Sequence, residues 1–259
     1  MPWQEEILSV RGTKIQLLKG GTGDPLLYLH SASGEVVWLP FFEQLAQRYT
    51  VYAPAHPGFS KSEGLDKIDT VEDLVFHYTD LMDQLHLLQP YVVGLSLGGW
   101  LAAELATRYP QRIRKLALIN AVGLRVPGAP IADIFQATPE ELRAMVFHDP
   151  KSDLAKTFAP DAPSPEVMEN ILKAREATAR VGWNPLLCNP KLRDRLYRIT
   201  VPTLIIWGES DRLVPVAHGK AYHEGIAGSK LVILEKCGHA PPLEKPEETA
   251  RVLADFFKN

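Results

Sequence analysis

Three side chains far apart in this 259-residue sequence, Ser96, Asp211 and His239, could together perform nucleophilic catalysis. Ser96 lies in Gly94-Leu95-Ser96-Leu97-Gly98, directly after the apolar run Tyr91-Val92-Val93. A segment of helical character follows from Trp100 to Tyr109 and stops at Pro110. This G-x-S-x-G pattern reads as a nucleophile elbow, a turn so tight that the serine sits in strained backbone at a strand tip with its hydroxyl facing an open site. Its glycines are needed because a Cβ at position 94 or 98 would meet the neighbouring strand or the following helix. That helix aims its N-terminal amides at the reaction centre, where negative charge develops. A serine hydroxyl is a weak nucleophile at neutral pH, so it needs a base and a group that orients the base. Asp211 lies in Gly208-Glu209-Ser210-Asp211, after the apolar run Thr203 to Trp207. His239 lies in Cys237-Gly238-His239-Ala240, after Leu231 to Leu234. If these runs are parallel strands, serine, acid and base converge at one sheet edge.

The elements that must position them are legible as alternation. Ile7 to Val10 and Lys14 to Leu18 flank Arg11-Gly12-Thr13 as an antiparallel hairpin. Leu26 to Leu29, Thr50 to Ala53, Tyr91 to Val93, Leu116 to Ile119, Thr203 to Trp207 and Leu231 to Leu234 are short continuous apolar runs, which suit strands buried on both faces of a parallel sheet. Helix-period segments alternate with them: Trp38 to Arg48, Val71 to Leu88 behind the capping candidates Asp69 and Thr70, and Pro246 to Phe257. The pattern predicts an α/β fold with a mostly parallel sheet flanked by helices. One interval breaks the rhythm. Between Asn120 and Thr203 lie proline-rich, helix-forming stretches, notably Pro139 to Phe147 and Pro165 to Val181. These predict a helical cap subdomain over 123–198, inserted into a core formed by 1–122 and 199–259.

Composition narrows the function. With 46% hydrophobic and 23% charged residues and a formal charge of −3, the chain is an ordinary globular protein without the basic footprint of a nucleic-acid or anionic-membrane binder. The acidic start Met1-Pro2-Trp3-Gln4-Glu5-Glu6 lacks the features of a signal peptide, and no apolar run is long enough to span a bilayer; a cytoplasmic location is expected. Cys188 and Cys237 form neither a disulfide scaffold nor a zinc site and read as buried thiols.

With these motifs in register, the chain resembles the α/β-hydrolase family over nearly its whole length. The resemblance runs from Leu26-Leu27-Tyr28-Leu29-His30 and His56-Pro57-Gly58-Phe59-Ser60, through the elbow, to Gly208-Glu209-Ser210-Asp211 and Gly238-His239. It implies an eight-stranded sheet and a catalytic triad in the family's order, Ser96, Asp211, His239. Ser96 would attack an acyl carbon, His239 would carry the proton, and Asp211 would orient the imidazole. Some relatives place the acid after the sixth strand, where this chain has Asn120, which cannot supply the charge. The oxyanion hole is expected from the N–H groups of Leu97 and, by position matching, Ala32. Ser31 stands where relatives usually have glycine; a Ser31 or Ser33 hydroxyl either adds a contact or is merely solvated. Ala55 stands where relatives often carry an aspartate.

A serine nucleophile points to acyl transfer rather than the carboxylate chemistry of dehalogenases and epoxide hydrolases. Carbon–carbon bond hydrolases of ring-cleavage products usually have asparagine before the serine and tryptophan after the histidine; Leu95 and Ala240 disfavour that subgroup. The expectation is therefore hydrolysis of a small carboxylic ester, with a lactone or enol-lactone as alternative. A non-catalytic binding or receptor member of the fold is the alternative of another class. Ser31, Trp38, Trp100 and Trp183 are candidate substrate contacts, although the tryptophans, like Phe135, Met145, Phe147 and Phe158, suit plain core equally. Arg180 could meet a substrate carboxylate or simply face solvent. No metal or organic cofactor is implied, and the partner is a small-molecule ester or lactone, with a monomer or homodimer as the assembly.

Overall fold

Each apolar run becomes a strand of one sheet in the computed structural model, which describes residues 2–34 and 36–258. The strands are β1 (Trp3–Val10), β2 (Thr13–Gly20), β3 (Asp24–Leu29), β4 (Tyr49–Pro54), β5 (Tyr91–Leu95), β6 (Lys115–Ile119), β7 (Thr203–Gly208) and β8 (Lys230–Leu234). Their order in the sheet is β1-β2-β4-β3-β5-β6-β7-β8; β2 pairs antiparallel with both its neighbours and β3 to β8 run parallel. Arg11 and Gly12 close the β1–β2 hairpin with φ of 48° and 79°, the left-handed pair that a two-residue hairpin turn requires. β5 and β7 are buried throughout, as continuous apolar runs suggest. β8 departs from that expectation: it is the edge strand, paired only to β7, so most of its side chains are partly exposed despite their apolar character.

Nine helices join these strands among the described residues: α1 (Pro40–Leu45), α2 (Val71–Gln84), α3 (Leu97–Arg108), α4 (Pro139–Val146), α5 (Asp153–Phe158), α6 (Pro165–Gly182), α7 (Val216–Gly225), α8 (Pro241–Glu244) and α9 (Pro246–Lys258). α2 begins with a reciprocal capping box between Thr70 and Asp73 and buries Val71, Leu74, Val75, Tyr78, Leu81 and Met82. It ends four residues before the expected Leu88, because His86 turns into the left-handed region at φ 55° and Leu88 faces solvent. α1 is likewise shorter than its apolar segment. α2, α3 and α7 pack on one face of the sheet, and α1 and α9 on the other, so each face has its own apolar core. Burying each leucine- or phenylalanine-sized side chain contributes roughly 1.5–3 kcal/mol.

This topology fixes where a site can form. The chain leaves β4 on one side of β3 and returns as β5 on the other, so the connections diverge between β3 and β5. In an open parallel sheet a crevice opens at that switch point, beyond the strands' C-terminal ends. Residues 30–34 follow β3 there and Ser96 follows β5. The interval between β6 and β7 carries α4, α5 and α6, each started by a hydroxyl cap (Thr138, Ser152 and Ser164).

Candidate active site

Ser96 occupies the turn between β5 and α3 with φ 55° and ψ −112°, outside the regions open to ordinary residues. The surroundings over-determine that geometry. The Ser96 N–H donates to the Ile119 carbonyl of β6 (2.9 Å), and its own carbonyl accepts from the N–H groups of Trp100 and Val122 (3.0 and 3.3 Å). A Cβ on Gly98 would come within 2.0 Å of the Leu29 carbonyl oxygen, and one on Gly94 within 2.2 Å of the Gly98 carbonyl. Only glycine at both positions lets β3, β5 and α3 approach so closely.

Asp211 follows β7 in a loop and its carboxylate is fully enclosed. Oδ1 accepts the N–H groups of Leu213 and Val214 (2.9 and 2.8 Å), while Oδ2 accepts Asn120 Nδ2 (2.6 Å) and pairs with His239 Nδ1 (2.8 Å). Four donors on two oxygens fix the plane of the carboxylate. His239 is also held by its backbone, whose N–H donates to the Val146 carbonyl at the end of α4 (2.6 Å). The preceding Gly238 N–H donates to Glu244 Oε1 (2.8 Å), and Glu244 Oε2 accepts the His148 N–H (2.8 Å). Burial pushes the Glu244 carboxyl above its ordinary range, partly offset by those N–H donors.

Ser96 and His239 wall a single cavity of about 490 Å³, a size suited to a small organic ligand. No hydrogen bond joins Ser96 Oγ to the imidazole among the described residues; such contacts are often loose without substrate and tighten once it binds. The remaining wall is largely apolar, with Leu95, Val122, Leu213 and Ala240 from the core and Leu142, Phe158, Ile171 and Leu187 from the inserted segment.

The loop after β3 shows how the chain accommodates Ser31. His30 Nε2 accepts the His56 N–H (2.9 Å), which leaves the His30 proton on Nδ1, where it donates to the Ser31 carbonyl (2.7 Å). Gly34 N–H donates to the same carbonyl at 3.2 Å. A trans peptide places the Ala32 N–H opposite that pinned oxygen, and Ala32 lines the cavity. Leu97 opens α3, and first-turn amides have no partner within a helix. Ala32 and Leu97 both line the cavity beside Ser96. Ser31 lines the cavity too, and its hydroxyl is engaged with Ser33, Oγ to Oγ 2.5 Å. Behind the loop, His56 pairs with Tyr78 (Nδ1 to Oη 2.6 Å) and with the His30 carbonyl (Nε2 to O 2.9 Å). Burial, then the neighbouring His30, holds the His56 imidazole well below its usual pKa, as suits a neutral structural ring.

The three tryptophan candidates lie elsewhere. Trp38 stacks on Trp3 with ring centroids 5.6 Å apart and packs on Phe42, outside the cavity. Trp100 is buried in α3 with its indole N–H on Glu104 Oε1 (3.0 Å). Trp183 is 60% exposed beside Phe135. Trp38 and Trp100 are taken up by ordinary packing and Trp183 largely by solvent, which sequence alone cannot separate from a pocket wall. Of the other aromatic candidates Phe158 does line the cavity, whereas Phe135 and Phe147 do not. Arg180 reaches out to Asp69 (3.4 Å), and Arg175, five residues earlier, lines the cavity instead. The missed signal is a cation interrupting the stripe Val167, Ile171, Ala174, Thr178 of α6. Among the described residues no cluster of three or more His, Cys, Asp or Glu side chains could hold a metal ion.

A model of the alpha/beta hydrolase family matches residues 26–252. The 2-hydroxy-6-oxo-6-phenylhexa-2,4-dienoate hydrolase of Comamonas testosteroni is 28% identical, over 93% of this chain and 90% of that protein. The 2-hydroxymuconate semialdehyde hydrolase of Pseudomonas sp. (strain CF600) is 27% identical, over 95% and 91%. Among solved structures, a membrane phospholipase A described as a bacterial virulence factor superposes with a TM-score of 0.78 at 26% identity, covering 99% of this chain and 86% of that one. The 2-hydroxy-6-oxo-6-phenylhexa-2,4-dienoate hydrolase of Rhodococcus sp. strain RHA1 superposes at 0.80 with 23% identity, over 100% and 99%, a likeness of fold.

Proposed function

We propose, because the chain belongs to the alpha/beta hydrolase family, that it is a serine hydrolase cleaving a small, largely apolar carboxylic ester through an acyl-enzyme. The observation that carries this reading is that Asp211 holds His239 by Nδ1 while the same imidazole and Ser96 wall one apolar cavity. A carboxylate on Nδ1 fixes the tautomer whose Nε2 can accept a proton. Ser96 Oγ bonds to the acyl carbon as its proton passes to His239 Nε2, and Asp211 stabilises the imidazolium so formed. The negative oxygen of the tetrahedral intermediate accepts from the N–H groups of Leu97 and Ala32; loss of one such donor typically costs about 10²–10³ in turnover. His239 then gives its proton to the departing alcohol oxygen as the C–O bond breaks. Water, deprotonated by the same imidazole, releases the acid. A lactone would follow the same steps, with acid and alcohol left on one molecule. The segment 123–198 acts as a cap that shapes the acyl or alcohol pocket, with Ser31 at its base.

A second reading is favoured by Arg175, the only lysine or arginine among the described residues of the cavity wall. The Comamonas relative is named for a 6-oxo-dienoate, a ketone that carries a carboxylate. Arg175 offers such an anion a partner, and the triad could release the acyl carbon from a carbon leaving group instead of an oxygen. Against it stand Leu95 and Ala240, where hydrolases of that subgroup usually carry asparagine and tryptophan.

One substrate panel separates the two: p-nitrophenyl esters from acetyl to decanoyl, simple lactones, and 2-hydroxy-6-oxo-6-phenylhexa-2,4-dienoate. The ester reading expects turnover of the esters, with kcat/KM rising with acyl length until the cavity is filled. Turnover of the dienoate with no ester or lactone hydrolysed would replace it by the second reading.

A further inference from the structure

Asn120 lies one residue beyond β6, fully buried, with φ at 43°. Asparagine tolerates that left-handed backbone better than most residues. Its side chain ties three loops together. Oδ1 accepts the Gly208 N–H at the end of β7 (3.2 Å), and Nδ2 donates to Asp211 Oδ2 (2.6 Å) and to the Gly238 carbonyl (3.3 Å). The amide orientation follows from these partners, since one end faces a donor and the other two acceptors. The oxygen it reaches on Asp211 is the one that pairs with His239 Nδ1. Serine, acid and base come from three strand ends, and Asn120 sits on the strand between those of Ser96 and Asp211.

We propose that Asn120 is a positioning residue for Asp211: its amide fixes the carboxylate oxygen that orients His239 and shares that oxygen's charge with the imidazole. The inference rests on the reading of Ser96, Asp211 and His239 as a triad. Without the amide, Oδ2 is held only by the imidazole it should orient. With a carboxyl group in its place, two acids lie at hydrogen-bond distance and share one proton, so the second acid donates to Oδ2 as the amide does. Deleting the amide instead leaves the charge of Oδ2 to the imidazole alone, which favours its protonated form, so His239 becomes available as a base only at higher pH. The other ionisable groups around this cluster are His218 on α7, Cys237 and Glu244 beside His239, His148 near Ser210, and Arg212, which donates to the Ala144 and Phe147 carbonyls. All are unchanged in the variants.

The test uses Asn120→Asp, nearly isosteric, and Asn120→Gly, which keeps the left-handed backbone and deletes the amide. The readout is the rate at which a fluorophosphonate labels Ser96, followed from pH 5 to pH 9. This needs no knowledge of the substrate. Asn120→Gly is expected to label about ten- to a hundred-fold more slowly than the unmodified protein, the effect of losing a hydrogen bond to a charged group. Asn120→Gly is also expected to move the acid limb of the profile upward by about one pH unit, a shift that a merely space-filling role would not produce, while Asn120→Asp, whose shared proton restores the donor, labels near the original rate at neutral pH. A folded Asn120→Gly that labels at the original rate, with the original acid limb, overturns the inference while leaving the triad in place. An unmodified protein that is not labelled at all overturns the triad reading, and this inference with it.

Discussion

The sheet's C-terminal edge and the inserted segment meet across one cavity but are built in opposite ways. At the edge, polar groups are fixed by hydrogen bonds from the neighbouring strand end or from their own loops: Ser96 by Ile119 and Val122, Asp211 by the Leu213 and Val214 N–H groups, and the Ser31 carbonyl by the Gly34 N–H and the His30 imidazole. The inserted segment offers mainly apolar side chains on helices whose other faces are in water; Leu172, on the cavity wall, is 57% exposed. The segment is also unevenly attached. The end of α4 is bonded to both functional loops, through Val146 to His239, Met145 to Arg212 and His148 to Glu244. The polar ties of α6 are long, Thr178 to Ala32 and Arg180 to Asp69 both at 3.4 Å. On the proposed function, the strand ends set the geometry of reaction and the helices, above all α6, the choice of substrate.

Glu244 is where the comparison breaks most sharply, because it bonds the edge and the segment at once. In Glu244→Gln one acceptor becomes an NH₂ facing the N–H of either Gly238 or His148, so one tie is lost. The expected result is a fall of about ten-fold in kcat on a short neutral ester with KM nearly unchanged, consistent with losing a charged hydrogen bond. Steady-state kinetics read this directly, and an unaltered kcat would mean that α4 does not help to hold His239. Arg175→Met sharpens the other side with an effect confined to one class of substrate. Neutral esters should keep kcat/KM within about three-fold, while substrates with a remote carboxylate lose about ten-fold or more, the scale of a charge-assisted bond. Equal losses on both classes, measured on matched ester pairs, would remove Arg175 from substrate choice.

The parallel strands and the convergence of three side chains were legible because strand-end loops in a parallel sheet all open on one side and short apolar runs mark those strands, whereas β1 extends four residues before the expected Ile7. Ser96 and His239 could be placed on one wall from Val93 and Leu234 alone. Helix ends were less legible: the leucines 85, 87 and 88 prolong an apolar pattern that the backbone abandons at His86. The pocket wall was least legible. Trp38 and Trp100 have the size of ligand contacts, but Trp38 stacks on Trp3 and Trp100 donates its indole N–H to Glu104. Asn120 was readable only as an amide that cannot serve as an acid. Its bonds to Gly208, Asp211 and Gly238 depend on bringing β6, β7 and the loop after β8 together, which no local pattern encodes.

The reading depends most on Ser96 as the nucleophile, and one paired measurement addresses it: hydrolysis of a short-chain activated ester by the unmodified protein and by Ser96→Ala, with fluorophosphonate labelling of both. The expected result is labelling at Ser96 in the first, none in the second, and a loss of at least ~10³-fold in kcat/KM, the scale of triad deletions. Retained hydrolysis in Ser96→Ala, or labelling at another residue, would place the nucleophile elsewhere and contradict the reading.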